Sequence, residues 1–306
     1  MTRDQLDALL KHIESTEKDG IGSPRIKQVV HRLLRDLFYA IEDLDISPEE
    51  FWKACDWLSW VGRDNEMGLV AAGLGLEALL DRRMDEAEEK AGLPQGTPRT
   101  IEGPLYVPGS PESLSYAELE TEVEPNAERL YMNGRVLDEN GNPVAGALVE
   151  VWHCNLKGLY SYFDSTQPAY NLRRAIRTTE DGAYSFKSFL PCGYACPPEG
   201  PTQRLLDLVG RHGARPAHIH FFVTAPGFRK LTTQLNIEGD PLIWDDFAFA
   251  TREDLIPPVV RIDAERAKQE FGRDEAFAKI EFDFRLVAQR DGVVPAENHR
   301  RHPEPV

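Results

Sequence analysis

His218 and His220 are separated by a single residue in the run Arg215-Pro216-Ala217-His218-Ile219-His220. Side chains at i and i+2 of a β-strand point the same way. The spacing therefore predicts two imidazoles on one face, with Ala217, Ile219 and Phe221 on the other. Two adjacent imidazoles can grip one metal ion, and imidazole suits Zn, Cu, Fe and Ni alike. Upstream, Gly158-Leu159-Tyr160-Ser161 and Pro191-Cys192-Gly193-Tyr194 each bring a tyrosine close to a glycine, at what reads as a strand end or turn. Phenolate is a hard anionic oxygen donor. Two phenolates added to two imidazoles make a set that favours iron in the ferric state. Each feature alone has a plainer reading, as a core or surface histidine pair or as structural tyrosines. The four together carry the metal hypothesis.

The elements that must position these groups can be read from the pattern of the rest of the chain. Its 306 residues suit one large domain or two medium ones. A hydrophobic content of 41% and a charged content of 28% are ordinary for a soluble globular protein. The formal net charge of −16 argues against nucleic acid and against an anionic membrane surface as partners. Acidic stretches at 85–89 and 118–124 read as a solvated helix face and a polar loop. No apolar run is long enough to span a bilayer, and the first residues lack an apolar signal core. The expectation is a cytoplasmic protein with reduced cysteines. Cys55, Cys154, Cys192 and Cys196 show neither metal spacing nor a disulfide framework and read as small buried thiols.

The first ninety or so residues read as helices. Ser23-Pro24 and Ser47-Pro48-Glu49-Glu50 are start signals, with a capping serine and proline at the first helical position. Ile26, Val29, Val30, Leu33, Leu34, Leu37, Ile41 and Leu44 recur near a 3.6-residue period. A third helix is predicted over 69–89, weakened at its start by Gly73 and Gly75. His12 and His31 lie in these helices and read as structural. Residues 93–128 look like a long irregular connection, although 99–106 is apolar enough to pack onto the next domain. From Arg129 onward the pattern becomes short alternating strands: 130–137, 147–153, 183–190, 218–224, 231–237 and 279–286. Asn140-Gly141-Asn142-Pro143 marks a turn, and 201–210 a short helix. The predicted class is α+β, with an all-helical N-terminal domain (1–128, including the connection) preceding an antiparallel β-sandwich (129–306). His299 and His302, in the polar tail, read as solvated.

Val151-Trp152-His153-Cys154-Asn155, the two tyrosine motifs, Gly200-Pro201-Thr202-Gln203, the histidine run, Thr232-Thr233-Gln234 and Asp245-Asp246-Phe247-Ala248 together resemble the intradiol ring-cleaving dioxygenases. The N-terminal helices and 99–106 resemble the catechol 1,2-dioxygenase branch. The resemblance covers all but the last few residues. It implies one non-haem Fe(III) per chain, held by Tyr160, Tyr194, His218 and His220 with a solvent hydroxide as fifth ligand. It implies cleavage of catechol by dioxygen to cis,cis-muconate, in aromatic catabolism of the beta-ketoadipate type. Tyr194 would be the ligand that departs and serves as a base, while Tyr160 stays bound. Arg215, assisted by Gln234, would stabilise negative charge on the activated ring. The family's pocket positions fall on Leu69, Ala72, Ile101, Pro104, Leu105, Phe247 and Ala248. These are apolar and suit an unsubstituted or methylated ring, which ranks chlorocatechol and hydroxyquinol 1,2-dioxygenases second. The resemblance also implies a homodimer through the N-terminal helices, with a phospholipid bound there. Cys192 departs from the Ala or Ser more usual in relatives.

Two other classes compete. A non-catalytic sandwich module would need neither both tyrosines nor the histidine pair. A zinc hydrolase built on His218 and His220 would need a carboxylate ligand and general base in place of phenolates.

Overall fold

A computed structural model of the chain describes residues 1–18, 20–122, 124–290, 292–293 and 302. His299 lies outside them. The chain divides into two compact units, Met1–Asp64 and Asn65–Val306.

The first unit holds three helices: α1 (Arg3–Ser15), α2 (Pro24–Asp43) and α3 (Pro48–Arg63). Ser23 caps α2 through Ile26 N, and Ser47 forms a reciprocal capping box with Glu50 at α3, as their spacing predicts. Thr2 and Gln5 make the same box at α1. Leu6 and Leu10 of α1 are buried, whereas α2 has no buried residue at all. Its stripe of Ile26, Val29, Val30, Leu33 and Leu37 is 40% to 63% exposed. An amphipathic helix derives most of its stability from covering its apolar face, and among the described residues this stripe is left uncovered.

The third predicted helix is broken. α4 (Met67–Gly73) and α5 (Leu76–Lys90) are separated by Gly75 in the left-handed region, with φ 73°. The break arises from glycine's freedom at a position no other residue adopts readily. Both helices fall within the second unit, so the compact-unit division at 64/65 lies well before 128/129.

The strands of the second unit are β1 (Glu112–Leu114), β2 (Tyr116–Glu118), β3 (Arg129–Leu137), β4 (Leu148–Trp152), β5 (Arg173–Arg177), β6 (Ala183–Phe189), β7 (Tyr194–Ala195), β8 (Ala214–Arg215), β9 (His218–Thr224), β10 (Leu231–Asn236), β11 (Val260–Ile262), β12 (Phe277–Glu281) and β13 (Phe284–Arg285). Helix α6 (Pro201–Leu208) precedes β8, and α7 (Ala264–Phe271) comes after β11. One sheet runs β1-β5-β4-β9-β10 and the other β11-β12-β3-β6-β2, with β13 also on β3. The sandwich is mixed rather than purely antiparallel. Its central pairs are antiparallel, but β1 on β5, β2 on β6, and β12 and β13 on β3 are parallel. The parallel partners are short strands of two to five residues delivered by long connections. A tight hairpin, which enforces antiparallel pairing, does not join them to their neighbours.

The core lies between the sheets and includes Leu130, Met132, Val149, Val151, Ile176, Phe186, Ile219, Phe221, Val223 and Leu235. Alternation along β9 therefore sends His218, His220 and Phe222 to the outer face of the first sheet. On that face one cross-strand row reads Arg173, Trp152, His220 and Gln234 across β5, β4, β9 and β10. The segment expected to pack back does so: Thr100 N donates to Thr232 O at 3.0 Å, and Thr233 Oγ1 to Pro98 O at 2.8 Å. It roofs the histidine face.

Because Phe221 is wholly buried on the core side, Phe221→Ala should cost about 3–5 kcal/mol. Urea unfolding monitored by far-UV circular dichroism reads this. A loss below about 1 kcal/mol would place Phe221 outside the core.

Candidate metal centre

The histidine pair is oriented from below. His218 Nδ1 lies 2.7 Å from Pro216 O, an acceptor only, so it carries the proton and Nε2 presents its lone pair. Trp152 stacks on the His220 ring at 4.9 Å, with the planes 6° apart. The two Nε2 atoms approach to 3.1 Å, close to the spacing of two donors about 2.1 Å from one shared cation. Burial, reinforced by the Arg215 charge, drives His218 down to about 3. Burial, reinforced by the charges of His218 and Arg215, holds His220 well below the usual imidazole range. Both rings are thus neutral, as metal binding requires.

The tyrosines arrive from two loops that only glycine lets meet. Asn155 Oδ1 accepts from Lys157 N at 2.9 Å and Leu159 N at 3.0 Å, closing the turn before Tyr160. At its centre Gly158 has φ 76°, and a Cβ there would sit 2.6 Å from the Tyr194 Cβ. A Cβ on Gly193 would sit 2.7 Å from Arg215 O. This is the physical content of the two Gly–Tyr motifs. Tyr160 and Tyr194 meet edge to face at 5.4 Å, and Tyr194 Oη lies 3.4 Å from His218 Nε2. The Tyr160 hydroxyl is buried with no hydrogen-bond partner among the described residues. Leaving it so costs about 1–3 kcal/mol, which a cation at the site would relieve. Burial raises both phenols above their ordinary pKa, with Arg215 opposing the rise at Tyr194. Without a cation both stay protonated. A bound multivalent cation reverses that preference.

No group of three or more His, Cys, Asp or Glu side chains able to hold a metal occurs among the described residues. A metal here must draw on the phenols. That removes the footing of the zinc-hydrolase reading, which needed a carboxylate on the histidine pair. The carboxylate of this network, Asp246, is engaged elsewhere: Arg215 Nε and Nη2 each donate to it at 3.1 Å. Ala248 N also donates to Asp246, at 3.0 Å. Burial alone would raise the Asp246 carboxyl, but the Arg215 charge overrides it and the net shift is downward. Arg215 also donates to Gln234 Oε1 at 2.7 Å, and its Nη1 lies 3.0 Å from His218 Nε2. β7 and β8 pair Tyr194 with Arg215 directly. Arg215, Gln234, Tyr160, His218 and His220, all buried, and the half-buried Tyr194 thus lie in one cluster.

The pocket candidates separate into two groups. Ala72, Ile101, Phe247 and Ala248 share an apolar cluster with Cys196, Leu206 and Ala250, and Leu69 packs against it. Leu105 packs instead with Tyr160, Tyr194, Trp152 and Tyr106. Pro104 is half-buried and joins neither. Gly103, between them, approaches His220 within 3.7 Å of where a Cβ would be. His302 is not simply solvated: it bonds Glu102 at 2.7 Å and packs edge-on to Tyr106 at 5.0 Å.

Three functional positions escaped the sequence reading. Asp246 was visible only as part of a motif, and its pairing with Arg215 spans 31 residues. Trp152 was likewise visible only as part of a motif, and Arg173 gave no local signal. Only strand register sets them in the histidine row.

Known proteins share both the sequence and the fold. Residues 101–288 match the family model described as Dioxygenase, and residues 23–92 that described as Catechol dioxygenase N terminus. The chain is 59% identical to catechol 1,2-dioxygenase 2 of Acinetobacter lwoffii, over 88% of this chain and 97% of that protein. It superposes on the crystal structure of wild-type Acinetobacter radioresistens catechol 1,2-dioxygenase with a TM-score of 0.94 and 50% identity, covering 99% of both chains. Hydroxyquinol 1,2-dioxygenase of Rhizobium sp. is 34% identical over 86% of this chain and 90% of that protein.

Burial of neutral imidazoles has a consequence for acid stability. His218 is held down to about 3, and His153, by burial first, to about 4. Between those values and 6.5 the unfolded chain binds protons that the native state refuses. The stabilisation is therefore complete above pH 6.5 and is lost as pH falls, at about 1.4 kcal/mol per pH unit per group. Asp81, pushed up to about 7 by burial, acts in the opposite direction, but it is one group against three. The metal-free protein should lose stability between pH 6.5 and 4 in urea titrations. A rise over that range would mean that the imidazoles are accessible to protons.

Proposed function

This chain belongs to the intradiol dioxygenase family, in the branch of the catechol 1,2-dioxygenases, and on that footing we infer that it opens catechol with dioxygen to cis,cis-muconate. The observation that carries the reading is one cluster of two neutral imidazoles, two phenols and a guanidinium set among apolar side chains. Its natural setting is the catabolism of aromatic compounds in the cytoplasm, in keeping with four free thiols. Among the described residues no helix is long and apolar enough to cross a membrane.

Tyr160, Tyr194, His218 and His220 would hold a single ferric ion. When bound, that ion supplies the electronic contact through which a singlet catechol and triplet dioxygen can react. The chain's own residues do the rest. Leu69, Ala72, Ile101, Phe247 and Ala248 receive the ring face and exclude water. Pro104 and Leu105 close the opposite lip. Catechol must lose two protons to bind as a dianion: Tyr194 Oη, held as a phenolate, would accept one, and a solvent hydroxide at the site would take the other and leave as water. Tyr160, the more deeply buried of the two phenols, would keep its place. Arg215 presents a fixed positive charge to the developing negative ring, and Asp246 and Gln234 lock its orientation. Preorganised charge of this kind is often the largest single contribution to catalysis. The side chains of Leu69, Ala72, Ile101, Pro104, Leu105, Phe247 and Ala248 carry no donor or acceptor for a third ring hydroxyl. That favours catechol over hydroxyquinol.

The uncovered stripe of α2 fits a homodimer contact through the N-terminal helices, with an acyl chain of a phospholipid as an added occupant. Leu33→Asp together with Leu37→Asp should then shift the sedimentation of the protein from dimer to monomer.

Four measurements test the enzyme reading. Elemental analysis should find about one iron per chain, since one donor cluster holds one ion, and the protein should be red from tyrosinate charge transfer. Oxygen uptake should be most efficient with catechol among catechol, 4-methylcatechol, 4-chlorocatechol and hydroxyquinol. Arg215→Lys should keep iron and colour yet lose roughly a hundredfold in kcat, because the planar fork is gone. Tyr194→Phe should retain a tyrosinate band from Tyr160 and be nearly inactive. A colourless wild-type protein with zinc in place of iron would overturn the assignment.

A further inference from the structure

A second buried arginine has no part in the reaction outlined above. Arg173 lies in β5, is 2% exposed, and is paired in register with Trp152. Its Nε donates to Ser161 Oγ at 2.9 Å and its Nη2 to Ser161 O at 2.9 Å. Its Nη1 donates to Leu105 O at 2.8 Å. All three acceptors are neutral oxygens. The guanidinium carbon stands 5.8 Å from the centroid of the Tyr160 ring.

Burying a guanidinium against neutral oxygens alone is unfavourable, so its placement calls for a reason. The acceptors come from two separate stretches of chain. Ser161 is the next residue after Tyr160, and its hydroxyl is itself fixed by donating to Asn171 O at 2.6 Å. Leu105 belongs to the roof over His220, two residues beyond Gly103. A planar fork with rigid donor directions joins them. Arg173 also flanks the cluster on the Tyr160 side, as Arg215 flanks it on the Tyr194 side, and anionic donors between the two would offset both charges.

We propose that Arg173 is a positioning residue that locks the Tyr160 donor and the Leu105 lip of the pocket into one rigid unit, so that metal-donor geometry and catechol affinity are set together. The inference rests on the ferric reading of the site. A wild-type protein without iron or colour would sink that reading, whereas an intact wild-type spectrum that the variants leave unmoved would sink only this one.

The test uses Arg173→Lys, which keeps the charge but cannot span three acceptors, and Ser161→Ala, which removes one acceptor and leaves the arginine. Both are loaded with iron and compared with wild-type by circular dichroism, metal content, charge-transfer spectrum and steady-state kinetics. Both should retain iron and native dichroism and shift the tyrosinate band in the same direction. KM for catechol should rise more than kcat falls, by roughly tenfold in Arg173→Lys, the scale of one hydrogen bond to a charged group. Ser161→Ala should show the smaller change. A double variant should fall short of the sum, because both substitutions loosen one clamp. If Arg173→Lys does not fold, Ser161→Ala decides by the same two readouts. An unmoved band with unchanged KM in the folded variants overturns the proposal. So does a fall in kcat alone.

Discussion

Strand β9 must satisfy two incompatible solvents at once, and its period-two alternation is what allows it. Ile219, Phe221 and Val223 fill the space between the sheets, while His218, His220 and Phe222 stand on the opposite face. A one-residue slip in register would put imidazoles into the apolar core and phenylalanine into the donor cluster. Stability and metal chemistry are therefore tied to the same register. The pairing of β9 with β4 and β10 then aligns Trp152 and Gln234 beside His220 without any further device.

Because segment 98–106 roofs the row Arg173, Trp152, His220 and Gln234, these side chains and His218 are desolvated. Desolvation makes the imidazoles neutral and the phenols reluctant to ionise, which suits a site whose charge is to come from a bound ion. It also makes each fixed charge expensive. Arg215 is compensated by Asp246 in a bidentate pair, which leaves part of its guanidinium free to face His218 and Tyr194. Arg173 is satisfied differently, by two main-chain carbonyls and a hydroxyl. Arg215 and Arg173 thus bracket the donor set, one with an ion-pair partner and one with neutral acceptors.

Close approach is the third requirement. Loops carrying Tyr160 and Tyr194 come from distant parts of the chain and touch at Gly158, where a side chain would collide with the Tyr194 Cβ. Small residues here serve distance more than flexibility. At Gly103 above His220 the reason is the reverse: a Cβ would meet the ring at an ordinary 3.7 Å, and the left-handed backbone, φ 69°, is what glycine permits.

What was legible in the sequence was local. Strand alternation placed His218 and His220 together, and serine–proline and capping-box signals marked the starts of α2 and α3. The helix predicted over 69–89 failed at Gly75, because a left-handed residue interrupts a pattern that periodicity alone continues. Strand β5 was missed because Arg173, Arg174 and Arg177 make it look like a surface segment, although Arg173 is buried. The parallel edge pairings and the Arg215–Asp246 pair depend on where long connections return, which no window of sequence contains. The residues thus determined which chemistry was possible. Only tertiary packing decided which charges would be buried together and what would compensate them, since burial and register are properties of the whole sheet.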